Sequence, residues 1–170
     1  MCAEWIYDAV TRASDGDAEA FSALVEEYGP DVLRLCMVIT TDRGMAEDAS
    51  QETWRKVWSG LDRLRDRAKL RAWLLRVAAN EAKQQLRRSR RHAWLSLDSA
   101  SAAKGDDDPA EAVGMRMVLK ALRVEDRELL AARYALGLTS AEIAQHLGIS
   151  AEGVRSRLSR LRRALHNEVA

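Results

Sequence analysis

The segment Leu70–Arg91 constrains the fold more than any other part of the sequence. It contains neither Gly nor Pro and is long enough for about six turns of helix. At 100° per residue, one side is mostly Leu, Val and Ala, with Glu81 and Gln85 as interruptions, and can pack into a core. The polar side spans an arc of roughly 80–100° and carries Lys69, Trp73, Arg76, Asn80, Lys83, Gln84, Arg87 and Arg91.

The polar side of this segment is compatible with two interpretations. Cations attract phosphates, amides bind base edges, and an aromatic ring stacks on an unpaired base, so the face suits nucleic acid. A solvated basic face with a Trp at its edge has the same pattern. The segment alone therefore leaves both open.

The distribution of helix-breaking residues predicts an all-α protein. There are two Pro and nine Gly in 170 residues, which leaves long uninterrupted segments. No alternating run of β-branched residues is long enough for a sheet. A hydrophobic content of 47% with 31% charged residues is ordinary for a soluble globular protein.

Cysteine usage and hydropathy indicate the compartment. Cys2 and Cys36 lie in no metal-binding or disulfide-framework spacing, and Cys36 is expected to be a buried thiol. We find no signal peptide and no apolar run near 18 residues. We therefore expect a cytoplasmic protein in a reducing environment.

Charge is strongly segregated along the chain although the total is only +1. Residues 1–58 carry a net charge of −7, residues 59–95 carry +8, residues 96–111 carry −4 and residues 112–170 carry +4. Such alternation favours a protein that contacts both a polyanion and a basic partner.

The pattern of small and acidic residues predicts two small helical domains, 1–95 and 109–170. Between them, residues 96–108 are rich in Ser, Ala, Gly and Asp and form an acidic linker. A metal site at Asp106–Asp108 is less favoured than solvated carboxylates, because no ordered scaffold surrounds them. Asp108 with Pro109 and Glu111 predicts the start of the next helix.

The second domain is predicted to have four helices, of which the last two form a helix-turn-helix. Thr139 and Glu142 have the spacing of a capping box, and Gly148 can take the positive φ of the turn. Val154 and Leu158 belong to an apolar face of the second helix, while Arg and Ser residues cover another arc. An Arg/Ser stripe at that position suits the major groove of DNA.

At this point the chain resembles a bacterial sigma factor of the extracytoplasmic-function (ECF) group, the small type with regions two and four only. The resemblance covers residues from about 15 to 168 and rests on four segments in family order. These are GDAEAF with LVEEYGPDVLRL, AEDASQETWRKVW, RAWLLRVAANEAKQQLRRSRR, and GLTSAEIAQHLGISAEGVRSRLSRLRRAL.

The resemblance implies that the first domain docks on core RNA polymerase and binds the −10 promoter element. The acidic helix would contact the clamp helices of the β′ subunit through Asp48, Gln51, Glu52, Lys56 and Trp58. The loop at about 61–69 and the basic helix would hold the melted −10 strand, with Trp73 as a wedge and Asn80 beside an extruded base. The implied −10 residues are Arg63, Arg65, Trp73, Arg76, Asn80, Lys83, Gln84, Arg87, Arg88 and Arg91.

The second domain would, by the same resemblance, bind the −35 element as duplex and dock on the β flap. The implied −35 residues are Arg155, Ser156, Arg157, Ser159, Arg160, Arg162 and Arg163. Family members are also commonly bound by an anti-sigma factor, often one held at the membrane. The resemblance implies no catalysis, no cofactor, no metal and no small-molecule substrate.

Three positions depart from the family pattern. Gly153 stands where a Thr is usual and removes a hydroxyl that could reach a phosphate. Arg123-Val124 replaces the usual Pro before the second helix of region four. Gln84 stands where an Asp is common, which removes one charge near the −10 surface.

Two other classes of function were weighed. A stand-alone helix-turn-helix regulator explains residues 109–170 but not the acidic helix or the Trp/Asn/Arg stripe. A nuclease or other enzyme is disfavoured because His92, His146 and His166 are scattered. No nucleophile–base or paired-carboxylate spacing accompanies them.

Overall fold

The structure, a computed structural model, describes residues 2–95 and 110–169. The prediction of an all-α fold is confirmed, since every regular element within these ranges is helical. The predicted linker 96–108, including Asp106–Asp108, lies outside the described residues, and the domain division stays a prediction. Within these ranges, no helix is both long enough and apolar enough to cross a bilayer.

Four helices form the amino-terminal half, residues 2–95. They are α1 (Cys2–Ser14), α2 (Ala18–Thr40), α3 (Arg43–Gly60) and α4 (Leu70–Leu95). Asp17 caps α2 by accepting hydrogen bonds from the backbone N–H groups of residues 19 and 20, and Asp42 caps α3 from residue 45.

Helix α2 is continuous through Gly29-Pro30. Pro30 lies inside the helix, and the buried face continues through it from Leu24 to Ile39. Pro costs about 3 kcal/mol in a helix interior. Burial of Val32, Leu35 and Cys36, each at 0% exposure, offsets that cost.

Helices α2, α3 and α4 pack on one another and enclose the core of this half. The apolar face predicted for α4 is buried through Leu70, Leu74, Leu75, Ala78 and Ala82. Helix α1 lies against α2 and against the 61–69 loop. This packing leaves the acidic half of α3 and the polar side of α4 outside the core.

The carboxy-terminal half, residues 110–169, contains α5 (Ala110–Ala121), α6 (Val124–Leu130), α7 (Ser140–Leu147) and α8 (Ala151–Val169). Helix α6 continues into a π-helical turn, Ala131–Ala135. The predicted capping box of Thr139 and Glu142 is present, and Gly148 adopts φ 69°. The helix-turn-helix is therefore formed by α7 and α8, which pack together around Ile143 and Val154.

The two halves contact each other directly. Helix α2 packs against α6 and the π-helical turn, and α4 packs against α7. The sequence did not predict this contact between the halves. The contact determines which polar side chains are accessible to a partner.

Candidate docking and nucleic-acid surfaces

The acidic surface of α3 is formed by Asp48, Gln51 and Glu52. Asp48 and Gln51 are exposed, and a shallow depression joins them to Arg55 and to Gln85 of α4. Arg55 donates to both carboxylate oxygens of Glu52. This hydrogen bond lowers the pKa of Glu52 below its ordinary value and neutralises part of the acidic surface.

Two further residues predicted to bind a partner also have contacts within the chain. Lys56 donates to Glu81 Oε1 at 2.6 Å, and the Glu81 side chain is only 6% exposed. Trp58 is 43% exposed and packs edge-to-face on Phe21, with ring centroids 4.7 Å apart. Lys56 therefore joins α3 to α4, and Trp58 is a fixed apolar group beside the acidic surface.

The polar side of α4 is largely accessible at its carboxy-terminal end. Asn80, Arg87, Arg88 and Arg91 are exposed, and Gln84 is partly exposed. Trp73 is partly buried and packs against the core, 3.6 Å from where a Cβ at Gly60 would lie. The ring is thus shared between the core and the surface.

The 61–69 loop consists of two short 3₁₀ turns, Leu61–Arg63 and Arg67–Lys69. Leu61 is 2% exposed and anchors the first turn in the core. Asp66 caps the second turn by accepting from the backbone N–H of Ala68 at 3.1 Å. Arg63 and Arg65 are exposed between these anchors.

Two cations of the α4 stripe contact the carboxy-terminal half. Arg76 donates to the backbone carbonyl of Gln145 at 2.7 Å. Lys83 Nζ lies 3.0 Å from Glu128 Oε2 of α6. In this arrangement each side chain uses part of its hydrogen-bonding capacity within the protein, and the Lys83 charge is paired with a carboxylate.

Glu128 and His146 form a buried polar pair at this contact. Their side chains are 4% and 3% exposed, and His146 Nε2 lies 2.9 Å from Glu128 Oε1. Burial alone would raise the pKa of Glu128, but hydrogen bonds from His146 and Lys83 lower it below its ordinary value. Glu128 is therefore a carboxylate near neutral pH and attracts Lys83 across the interface.

A second set of polar contacts joins the halves at α2. Arg71 donates to Asp31 Oδ2 at 3.1 Å and to the carbonyl of Leu136 at 3.0 Å. Arg127, 4% exposed, lies 3.4 Å from Thr41 Oγ1 through Nη1. Sequence reasoning missed Arg71 and Arg127 because neither their spacing nor their neighbours in the sequence distinguish them from other surface cations.

The Arg and Ser side chains of α8 lie mostly on its exposed side, and within the part of the chain that the structure describes only Arg157 is engaged by another helix. Arg155, Ser156, Arg160, Arg162 and Arg163 are exposed, and Ser159 is partly exposed. Arg157 is partly buried and donates to Asp126 of α6 at 2.9 Å. We therefore assign Arg157 to packing of α8 on α6 as well as to the basic surface.

The α8 stripe continues onto residues that sequence reasoning did not select. Arg133 and Tyr134 of the π-helical turn and Ser140 of α7 line one depression with Arg155 and Ser159. Arg133 and Tyr134 are consecutive residues of the π-helical turn that follows α6. The signal in the sequence that could have identified this extension of the stripe is Arg133, a cationic residue shortly before the helix-turn-helix.

Gly153 lies in the first turn of α8 with its backbone N–H donating to Ser150 Oγ at 3.0 Å. A Cβ at this position would lie 3.2 Å from the same oxygen, a close approach that the side chain of Ser150 would have to relieve. Ser150 thus caps the amino-terminal end of α8.

Two observations concern metal ligands and the buried thiol among the described residues. There, no three His, Cys, Asp or Glu side chains are grouped as metal ligands. Burial raises the pKa of the Cys36 thiol to about 12, so it is not a nucleophile at neutral pH.

Two family matches cover most of the chain. Residues 24–92 match the family described as Sigma-70 region 2, and residues 114–165 match Sigma-70, region 4. The ECF RNA polymerase sigma factor SigL of Mycobacterium tuberculosis is 32% identical, over 92% of this chain and 92% of its own length.

Two further comparisons agree with these matches. The probable RNA polymerase sigma factor RfaY of Xanthomonas campestris pv. campestris is 31% identical over 96% of this chain. The chain spans only 44% of that relative's length. The solved structure of CnrH in complex with the cytosolic domain of CnrY has a TM-score of 0.77 at 25% identity, covering 98% and 97% of the two chains.

Proposed function

Because the chain belongs to the ECF RNA polymerase sigma factors, we propose that it binds core RNA polymerase and directs it to specific promoters. The amino-terminal half would dock on the enzyme and open the −10 element, and the carboxy-terminal half would bind the −35 element as duplex. One observation carries the proposal: a single chain has the acidic α3, the mixed Trp/Asn/Arg face of α4 and a helix-turn-helix in family order. A stand-alone helix-turn-helix regulator needs neither of the first two.

Docking on the β′ clamp helices would use the acidic surface of α3. Asp48 and Gln51 are exposed there, and Trp58 provides an apolar group beside them. Arg55 would have to release Glu52 before that carboxylate could bind a basic residue of the polymerase. The β flap would be bound by apolar residues of the carboxy-terminal half.

Opening of the −10 element would use α4 together with the 61–69 loop. Single-stranded DNA is held by cations along its backbone and by aromatic stacking on its bases. Trp73 supplies the aromatic edge, Asn80 supplies hydrogen bonds to a base, and Arg87, Arg88 and Arg91 supply charge. Arg63 and Arg65 would contact the extruded base or its phosphates from the loop.

Binding of the −35 element would use the exposed stripe of α8. Arg155, Ser156, Ser159 and Arg160 suit base edges, while Arg162 and Arg163 suit phosphates. Arg133 and Ser140 would extend the phosphate contacts beyond α8.

Formation of the initiation complex would require the two halves to separate. Arg76 and Lys83, both assigned to the −10 element, are engaged by Gln145 and Glu128 while the halves are in contact. An anti-sigma factor is the expected regulator, and one anchored in the membrane would hold the protein there. CnrH, which shares this fold, was solved in complex with the cytosolic domain of CnrY, and this supports a protein partner for the chain.

The protein would supply no catalysis, since phosphodiester formation belongs to the polymerase. The decisive experiment is run-off transcription with core polymerase on genomic DNA, followed by mapping of start sites. Promoter-specific starts that depend on the protein support the proposal. Failure to bind core polymerase in a pull-down would refute it and favour the stand-alone regulator.

A further inference from the structure

We propose that Tyr7 of α1 is a positioning residue for the 61–69 loop and thereby contributes to −10 selectivity. This inference rests on the proposed function of that loop. Helix α1 precedes the Sigma-70 region 2 match, which begins at residue 24. The packing of α1 against the loop is therefore a feature of this structure and not of the family match.

Tyr7 and Arg67 make a two-part contact between α1 and the loop. The guanidinium carbon of Arg67 lies 4.8 Å from the centroid of the Tyr7 ring, within the range of a cation–π interaction. Arg67 Nη1 also donates to Tyr7 Oη at 3.1 Å. These two interactions fix both the position and the orientation of the Arg67 side chain.

Helix α1 is a rigid support for this contact. Val10 is fully buried, and Ala9 and Ala13 are at most 6% exposed, where α1 packs against α2. Arg12 at its end pairs with Asp17, the cap of α2, at 2.6 Å. Tyr7 is on the outer side of this anchored helix and is 57% exposed.

The loop has few anchors of its own at its carboxy-terminal end. Leu61 is buried and Leu64 is partly buried, but no residue of the second 3₁₀ turn, Arg67–Lys69, is buried. Arg67 begins that turn, so its contact with Tyr7 fixes the segment that follows Arg65. Loss of the contact would leave Asp66 as the main local constraint before α4.

The consequence is a division of roles in the loop. Arg63 and Arg65 are exposed and available to DNA, whereas Arg67 is partly buried and occupied by Tyr7. Since selectivity depends on how precisely a loop presents its groups, Tyr7 acts through Arg67 and the loop backbone rather than by touching DNA.

The test uses holoenzyme assembled from core polymerase and the full chain. Wild-type holoenzyme first selects −10 sequences from a random single-stranded pool, and affinity is then measured for a selected and a scrambled oligonucleotide. We expect Tyr7→Leu to reduce the ratio of the two affinities about three- to tenfold, as loss of one cation–π contact and one hydrogen bond implies. Tyr7→Phe keeps the ring and should lose less.

A double-mutant cycle separates positioning from direct contact. If Tyr7 acts through Arg67, the combination of Tyr7→Leu with Arg67→Leu loses no more selectivity than Arg67→Leu alone. Additive losses would overturn the proposal, as would full selectivity in Tyr7→Leu. Affinity for core polymerase and for −35 duplex should be unchanged in Tyr7→Phe, and a parallel fall in both would indicate a merely structural role.

Failure of the inference and failure of the proposed function give different results. If wild-type holoenzyme selects no −10 sequence at all, the function proposed for the loop is wrong. If wild type selects a sequence and the Tyr7 variants keep the same preference, only the role of Tyr7 is wrong.

Discussion

The substitution Glu128→Gln removes the negative charge that joins the two halves while keeping the shape of the side chain. Glu128 is 4% exposed, and Lys83 and His146 lie 3.0 and 2.9 Å from its two carboxylate oxygens. A hydrogen bond to a charged group contributes about 1.5–3 kcal/mol. Lys83 is 27% exposed, so water can solvate its ammonium group once the carboxylate is gone. We therefore expect Glu128→Gln to weaken the contact between the halves by the free energy of one such hydrogen bond.

This loss would shift the equilibrium from contacting to separated halves about ten- to a hundredfold. Lys83 would then be available, and Arg76 with it once Gln145 moves away. Apparent affinity for single-stranded DNA scales with the fraction of molecules that are competent to bind. We therefore expect the free Glu128→Gln protein to bind a labelled single strand up to ten- to a hundredfold more tightly than wild type, as measured by fluorescence anisotropy.

A matched control lies three residues away on the same helix. Glu125 is 56% exposed and its oxygen is 3.6 Å from Arg123, so Glu125→Gln removes the same charge without affecting the contact between the halves. Unchanged or weaker DNA binding by Glu128→Gln, or an equal gain in both variants, would refute the reasoning.

The pH dependence provides an independent check on Glu128. Its pKa in the folded protein is below the ordinary glutamate value of 4.5, because of His146 and Lys83. The stabilisation is therefore fully present above that value and is lost as the pH falls through the lower, folded-state pKa. In urea denaturation, the difference in the free energy of unfolding between wild type and Glu128→Gln should be constant above about pH 5.5 and decrease below pH 4.5.

Further substitutions test the other surfaces. Trp73→Ala should slow promoter opening at least about tenfold, as expected for loss of stacking, while closed-complex binding is retained in a gel-shift assay; equal loss of both would assign Trp73 to the core. Asp48→Arg should weaken core-polymerase binding by about 1–3 kcal/mol with unchanged circular dichroism, and loss of helicity would show a structural role instead. Ile143→Ala should destabilise the protein by about 2–5 kcal/mol in urea denaturation, since the side chain is fully buried between α7 and α8. Cys36 should react with a thiol reagent at pH 8 only after unfolding, because burial raises its pKa to about 12.

Local chemistry made much of the fold predictable from the sequence. The capping box at Thr139 and Glu142 and the positive φ at Gly148 depend on residues within a few positions of one another, and both are present. The apolar face of α4 follows from its periodicity in the same way. The continuity of α2 through Pro30 does not follow from local chemistry, because the helix-breaking tendency of Pro is overridden by burial of a face that extends on both sides of it.

Several features that sequence reasoning missed depend on distant parts of the chain. Glu81 interrupts the apolar face of α4 in the sequence, yet it is buried because Lys56 of α3 neutralises it. The pairing of Lys83 with Glu128 spans 45 positions and leaves no local periodicity. Whether the predicted polymerase and DNA residues have their assigned roles stays a prediction, which the proposed experiments test.

The occupation of Arg76 and Lys83 by the carboxy-terminal half has a consequence for the salt dependence of DNA binding. Each cation that contacts a phosphate of a single strand releases condensed counterions and adds about 0.7 to the slope of log affinity against log salt. While Gln145 and Glu128 hold these two side chains, we expect that contribution to be reduced. The slope should therefore steepen, by at most about 1.4, when the halves separate, so a salt titration reports on domain arrangement without any structural probe.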